Sequence, residues 1–128
     1  MKLLWDTHCF LWFIMGDKQM SPRVRQLIET EGNQSLLSVA SLWEIAIKIS
    51  IGKLTLGQPF EILIPHQLAS NGIQILNIAI EHFSQVSSLP FHHRDPFDRL
   101  IIAQAIVEKI PVLSIDAVFD NYAVQRVW

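Results

Sequence analysis

The sequence of 128 residues has few of the features that would assign a protein to a class at once. It contains one cysteine, Cys9, so an internal disulfide is excluded and a reducing compartment is favoured. No apolar run is long enough to cross a bilayer, and the N-terminus turns acidic at Asp6, too early for a signal peptide. We therefore expect a cytoplasmic protein without a membrane segment.

Several ligand-binding patterns are also missing. The five glycines stand singly, so no phosphate-binding glycine loop is predicted. His92 and His93 are adjacent, but no H-x-x-x-H or cysteine cluster accompanies them, and we expect no zinc site. Neither Ser38 nor Ser41 has a base at a spacing that would make it a nucleophile.

The net charge is −2, with 12 acids against 10 lysines and arginines, so no basic excess indicates nucleic-acid binding. If four of the acids surrounded a cation, however, eight would remain against ten bases. Half of the residues are hydrophobic, which excludes disorder and indicates an interface, for a homodimer or another partner. The length predicts a single domain over residues 1–128.

Short apolar runs alternate with helical patterns along the chain. Runs without clean alternation are typical of strands buried on both faces, and they occupy residues 2–5, 35–38, 73–78, 112–115 and 124–128. Helices are predicted over residues 21–30, 39–51, 59–70 with an interruption at Pro65, 80–88 and 96–109. This order predicts the α/β class: a three-layer α/β/α sandwich around a mostly parallel, five-stranded sheet.

Four acids stand where such a sheet binds ligands, in the crevice beyond the carboxyl ends of the strands. Asp6 follows the first predicted strand and Asp116 the fourth, Glu44 lies in the helix after the second, and Asp98 begins the last helix. Each has a structural alternative, because Asp6 and Asp116 suit helix N-caps and Glu44 suits an i,i+4 pair with Lys48.

In the segment HRDPFDRLIIAQA, residues 93–105, each of two aspartates could be either a helix cap or a functional acid. Asp95 suits the N-cap, Pro96 the first helical position, and Asp98 the third position, near the positive end of the helix dipole. Asp98 also shares the helix face of Ile102, and an acid on an apolar face is costly unless it is compensated. We interpret Asp95 as a cap, whereas capping and chemistry both remain open for Asp98.

A cluster of carboxylates requires a cation, because like charges repel in a cleft. Hard oxygen ligands favour Mg²⁺ or Mn²⁺, which bind substrate phosphates and activate water for phosphodiester hydrolysis.

Four motifs, in order along nearly the whole chain, carry a resemblance: D-T-H-x-x-L-W, S-x-x-S-L-W-E-I-A-x-K, H-R-D-P-F-D-R-L-I-I-A-Q-A and S-x-D-x-x-F-x-x-Y. Together they resemble PIN-domain proteins of the VapC toxin subgroup. The resemblance implies an Mg²⁺- or Mn²⁺-dependent endoribonuclease that leaves a 5′-phosphate and a 3′-hydroxyl. It also implies inhibition by a VapB-like antitoxin and action as a homodimer.

Carried over to this sequence, the acidic cluster comprises Asp6, Glu44, Asp98 and Asp116, and Asp6 and Asp98 are expected as direct metal ligands. Thr7 and Ser114 are expected to supply hydroxyls that support these acids. Basic side chains near the motifs are candidates for RNA phosphate contacts: Lys48, Lys53, Arg94 and Arg99.

Two alternatives come from other functional classes. One is a PIN-like binding module without catalytic activity, which the complete acid set disfavours. The other is an aspartate-based phosphotransfer domain. The haloacid dehalogenase type needs a second aspartate where His8 stands, and the receiver type needs a further acid pair near the first strand, which is missing.

Overall fold

The computed structural model describes residues 1–128 and contains five strands and six α-helices. The strands are β1 (Lys2–Trp5), β2 (Gln34–Ser38), β3 (Ile73–Leu76), β4 (Val112–Leu113) and β5 (Arg126–Val127). The helices are α1 (Thr7–Met15), α2 (Pro22–Glu29), α3 (Val39–Ser50), α4 (Phe60–Ser70), α5 (Ile80–Ser88) and α6 (Pro96–Glu108), and a 3₁₀ turn spans Ala117–Asn121. None of the helices is long and apolar enough to cross a membrane.

All neighbouring strands pair in parallel, in the order β3-β2-β1-β4-β5. The chain moves outward from β1 through β2 to β3 and then returns to place β4 on the other side of β1. The strand order therefore reverses between β1 and β4, which is where open parallel sheets bind ligands. At this point the Asp6 amide donates to the Leu113 carbonyl over 3.0 Å.

Side chains of β1 enter two different cores. Leu3 and Trp5 pack in a cluster with Phe10 on one face of the sheet, and Leu4 packs with Ile101 on the other. Because both faces are covered, the strand is apolar at every position instead of alternating. The predicted α/β/α sandwich and its five-stranded sheet are confirmed, and the sheet is parallel throughout.

The helices differ from the prediction in two places. The nine-residue helix α1 directly follows β1 and was expected only as one alternative for the residues after Asp6. Its sequence, THCFLWFIM, is apolar nearly all round and gives no helical period. The predicted interruption at Pro65 is wrong, since α4 runs continuously through it. Pro65 is exposed, so water can satisfy the carbonyl that loses its amide partner.

Candidate metal centre

The four predicted acids lie around the carboxyl ends of β1, β2 and β4. Asp6 immediately follows β1, and Asp116 follows β4 by three residues. Glu44 lies in α3, which begins directly after β2, and Asp98 is the third residue of α6. Asp6 and Glu44 are 4% and 5% exposed, so two carboxylates are buried at this edge of the sheet.

Capping fixes the conformations of two of these acids. Asp6 is the N-cap of α1, where its Oδ1 accepts from the Cys9 amide over 2.7 Å. Asp116 is the N-cap of the 3₁₀ turn, where its Oδ1 accepts from the Val118 amide over 3.0 Å. Each cap uses one carboxylate oxygen and leaves the other for further partners. Capping and chemistry are therefore compatible roles for the same side chain.

Asp95 and Asp98 make different contacts at the start of α6. Asp95 is the N-cap of α6, and its Oδ1 accepts from the Asp98 amide over 2.9 Å. The Asp98 side chain caps no amide; its Oδ2 instead meets His93 Nε2 at 2.8 Å. The interpretation of Asp95 as the helix cap is confirmed.

Glu44 is held in place by Thr7 and Lys48, and Ser41 contacts Thr7. Thr7 Oγ1 donates to Glu44 Oε1 over 2.7 Å, and the Ser41 hydroxyl lies 2.9 Å from the same Thr7 oxygen. Lys48 Nζ lies 2.8 Å from Glu44 Oε2. Both oxygens of Glu44 thus have partners, and the i,i+4 pair with Lys48 is present.

Ser114 links the two capped aspartates. Its hydroxyl accepts from the Asp116 amide over 3.0 Å, and the same side chain lowers the pKa of the Asp6 carboxyl against the effect of burial. Since an accepting hydroxyl oxygen still has its own hydrogen to donate, Ser114 can serve both partners at once. The hydroxyls of Thr7 and Ser114 therefore support carboxylates of the cluster.

Burial and mutual repulsion raise the pKa of two acids. Burial raises the pKa of Asp98 from 3.8 to about 7, the Asp95 and Asp6 carboxylates add to the increase, and His93 opposes it. Burial also raises the pKa of Asp6 to about 6, with repulsion from Glu44 and Asp116, while hydrogen bonds from Ser114 and Cys9 work in the opposite direction. Near neutral pH the cluster therefore favours an additional proton or a cation.

His93 is a member of the site that the sequence analysis missed. Its Nε2 lies 2.8 Å from Asp98 Oδ2 and 3.4 Å from Asp116 Oδ2, and the ligand atoms of these three residues lie within 4.8 Å of one another. The available signal was its position in the loop just before α6, five residues before Asp98. The expectation that His92 and His93 form no zinc site rested on the absence of an H-x-x-x-H or cysteine pattern, and that absence does not exclude a histidine paired with carboxylates.

The four basic candidates for phosphate contacts have different environments. Arg99 is only 5% exposed, and its guanidinium donates to the Leu89 and Pro90 carbonyls over 3.0 and 2.9 Å. The prediction that Arg99 contacts RNA phosphate is wrong, because these carbonyls and the Phe91 ring occupy the guanidinium. Lys48 is half-buried and paired with Glu44, whereas Lys53 and Arg94 are exposed.

The donor atoms of the site suit a hard divalent cation. Carboxylate oxygens of the four acids are the ligands that Mg²⁺ and Mn²⁺ prefer, and two of those acids have raised pKa values, as expected of carboxylates gathered without a counter-ion. The residues present therefore fit the cation that the sequence resemblance implies.

Comparisons with known proteins agree with this fold. The family model described as PIN domain matches residues 3–125. No curated protein matches the sequence. VapBC2 from Rickettsia felis, in a crystal structure with a fragment of promoter DNA, superposes with a TM-score of 0.76 at 14% identity, covering 99% of this chain and 98% of that chain.

Two further solved structures are similar at the same level. VapBC-1 from nontypeable Haemophilus influenzae gives a TM-score of 0.66 at 17% identity, covering 99% of this chain and 97% of that chain. FitAcB from Neisseria gonorrhoeae gives 0.64 at 17% identity, with 98% and 96% covered. At these identities the likeness concerns the fold.

Proposed function

Because the chain belongs to the PIN domain family, we propose that it is a metal-dependent endoribonuclease, the toxin of a type II toxin–antitoxin pair, built as a single domain over residues 1–128. One observation supports this most directly. Asp6 and Asp98 are far apart in the sequence, yet at the reversal point of the sheet the Asp6 carboxylate helps to raise the pKa of Asp98, and burial raises the pKa of both carboxyls. A structural acid would be expected to have a nearby positive partner instead.

We assign direct metal contact to Asp6 and Asp98, with Glu44 and Asp116 completing the acidic cluster. Thr7 orients Glu44 through its hydrogen bond, and Ser114 supports Asp6 and Asp116, since it accepts from the Asp116 amide and lowers the pKa of Asp6. A bound Mg²⁺ or Mn²⁺ supplies a water of lowered pKa and neutralises charge on the phosphoryl oxygens. The caps on Asp6 and Asp116 keep both carboxylates in fixed rotamers, which reduces the reorganisation that binding requires.

The proposed substrate is RNA, cleaved to leave a 5′-phosphate and a 3′-hydroxyl. The choice of RNA rests on the motifs shared with VapC toxins, since the acid cluster fits phosphodiesters of either nucleic acid. Lys53 and Arg94 are the exposed basic residues proposed to contact the phosphate backbone. Lys48 is proposed to act in the same way if the substrate displaces Glu44 from its side chain.

The proposed protein partners are a VapB-like antitoxin and a second copy of the chain. One solved structure with this fold is a toxin–antitoxin complex from Klebsiella pneumoniae, and others are VapBC2 from Rickettsia felis and VapBC-1 from Haemophilus influenzae. The surface also carries exposed large apolar side chains suited to interfaces, among them Trp43 at 60%, Ile80 at 79% and Phe91 at 81% exposed. We propose that these partners cover part of this apolar surface.

RNA cleavage by the purified chain tests the proposal. The wild type with Mn²⁺ should cut a single-stranded RNA and leave DNA of the same sequence intact, and EDTA should stop the reaction. Asp6→Asn keeps an N-cap, since asparagine caps as well as aspartate, but it removes a metal-binding charge and should lower the rate by orders of magnitude.

The matched control is Asp17→Asn, at an exposed turn where the carboxylate accepts from the Gln19 amide. This variant should cleave normally. Cleavage that survives EDTA, or that Asp6→Asn leaves intact, would contradict the proposed function.

A further inference from the structure

His93 donates a hydrogen toward two acids of the proposed metal centre. Its Nε2 lies 2.8 Å from Asp98 Oδ2 and 3.4 Å from Asp116 Oδ2. The ring is 20% exposed, and the two carboxylates are 21% and 38% exposed, so the contact is partly shielded from water. A nitrogen between two carboxylate oxygens satisfies the same lone pairs that a cation would occupy.

The ring orientation identifies which nitrogen carries the hydrogen. The Asp95 amide points at His93 Nδ1 over 3.4 Å, and an amide can only donate. Nδ1 is therefore the acceptor in the neutral ring, which leaves the hydrogen on Nε2, facing Asp98 and Asp116. The fixed backbone amide thus determines that His93 presents a donor, not a lone pair, to the acids.

The rest of the structure holds His93 in this position. Its amide donates to the Tyr122 hydroxyl over 2.8 Å, its ring packs against Phe119 with centroids 6.3 Å apart, and Arg99 donates to its carbonyl over 3.4 Å. The buried Arg99 guanidinium therefore has a role in organising this loop, since it joins Leu89, Pro90 and His93.

We infer that His93 is a positioning residue that takes the place of the cation in the metal-free protein, holding Asp98 and Asp116 together and yielding to the metal when it binds. The inference rests on the proposed function, because it concerns the same carboxylates. Asp116 Oδ1 is engaged by the Val118 amide, so its Oδ2, the oxygen that faces His93, is the one left for a metal. The His93 N–H and the cation therefore compete for that oxygen.

A direct nitrogen–metal bond is the alternative that the local contacts disfavour. For Nε2 to bind a metal, the hydrogen must move to Nδ1, where it would meet the Asp95 N–H head on. Histidine ligands normally donate their second ring nitrogen to an acceptor. The structure instead supplies a donor there, which favours a histidine that gives way to the metal over one that binds it.

This role makes opposite predictions for stability and for metal affinity. Loss of the His93 side chain leaves two carboxylates unpaired in the metal-free protein, so the melting temperature should fall. The same loss removes a competitor for Asp98 and Asp116, so the metal should bind more tightly. If His93 had only a packing role, its loss would leave the metal affinity unchanged. If His93 bound the metal, its loss would weaken the metal affinity.

The test uses the purified chain, stripped of metal with EDTA and then dialysed, in four forms: wild type, His93→Ala, His93→Gln and His92→Ala. Mn²⁺ is titrated by calorimetry, and melting is followed in parallel without metal.

We expect His93→Ala to bind Mn²⁺ about tenfold more tightly, the effect of losing one hydrogen bond to a charged group. We expect its metal-free melting temperature to fall by about 3–6 °C. His93→Gln, which keeps an N–H donor, should restore part of both properties. His92→Ala, at the neighbouring exposed histidine that packs edge to face against Tyr122, should leave Mn²⁺ binding unchanged.

Each remaining outcome is decisive. Weaker Mn²⁺ binding by His93→Ala would identify His93 as a ligand and overturn the inference, and unchanged binding would reduce His93 to a packing residue. In both cases Mn²⁺ binding by the wild type would leave the proposed nuclease intact. Failure of the wild type itself to bind Mn²⁺ would overturn the proposed function and the His93 inference together.

Discussion

Replacing Asp98 with asparagine separates the two roles considered for this acid, because it preserves the shape of the side chain and removes its charge. A residue that merely complements the dipole of α6 would lose about 0.3–1 kcal/mol on neutralisation. A metal ligand among carboxylates should behave in the opposite way in the absence of metal, since the ionised form is the costly one.

The size of the effect follows from the raised pKa. The carboxyl group titrates near pH 3.8 in an unfolded chain and near pH 7 in the fold, and one pKa unit corresponds to about 1.4 kcal/mol. The folded state therefore holds its proton more tightly, and stability is lost as the pH rises from about 4 through 7. At pH 8 the ionised side chain costs up to about 4 kcal/mol. Water in the cleft and the lost dipole interaction reduce the net gain for Asp98→Asn to about 1–3 kcal/mol.

Urea unfolding in EDTA at pH 8 and at pH 5 measures this gain directly. We expect Asp98→Asn to be more stable than wild type at pH 8 and to keep less than half of that gain at pH 5, where the folded wild-type carboxyl holds its proton but the unfolded one has released it. With saturating Mn²⁺ the order should reverse, since the variant gains less from the metal, and its RNA cleavage should be lower by orders of magnitude. A variant that is less stable at pH 8 and still cleaves RNA would assign Asp98 to helix capping and refute the argument.

Three further predictions follow from the site. Asp95→Ala should lose about 0.5–2 kcal/mol of stability in urea unfolding, the usual cost of a lost N-cap, and should still cleave RNA; full stability with abolished cleavage would contradict the division between Asp95 and Asp98. The pKa values of Asp6 and Asp98 are raised to about 6 and about 7, so Mn²⁺ must displace protons from both acids. The rise in melting temperature caused by Mn²⁺ should therefore grow between pH 5.5 and 8, while the metal-free melting temperature falls. Melting temperatures with and without Mn²⁺ that change in parallel with pH would refute this. Arg99→Lys should lose about 2–4 kcal/mol of stability, since a lysine cannot reproduce the forked contacts to backbone carbonyls. Arg94→Ala should keep its stability and raise KM for RNA. The reverse pattern would indicate that Arg99 contacts RNA.

The fold was predictable because strands buried on both faces are recognisable in a single sequence. Leu3, Leu4 and Trp5 must all be apolar when successive side chains enter two cores. The helix α1 escaped the same approach for a related reason. Trp12 and Phe13 are only partly buried but pack against Trp128 and Trp5, so no polar face marks a helical period.

The positions of the acids were predictable because parallel strands end at a common edge, so a residue that follows a strand has a known location. That logic places Asp6 and Asp116 without any knowledge of side-chain contacts. It does not extend to His93 or Arg99, whose positions depend on the loop between α5 and α6. Tyr122, far along the chain, holds the His93 amide, and the carbonyls of Leu89 and Pro90 enclose the guanidinium. Such contacts cannot be inferred from local sequence.

The use of the same aspartates as caps and as proposed metal ligands has a physical advantage. In the metal-free protein an unpaired buried carboxylate is costly, and the helix N-termini behind Asp6 and Asp116 reduce that cost with backbone N–H donors. The pKa of Asp6 nevertheless remains raised, to about 6, so burial outweighs the cap and the carboxylate still gains from a cation. Asp98 lacks a capped amide and relies on His93, and burial raises its pKa further, to about 7. The site thus combines acids that backbone donors and His93 partly stabilise with negative charge that remains uncompensated and favours a cation.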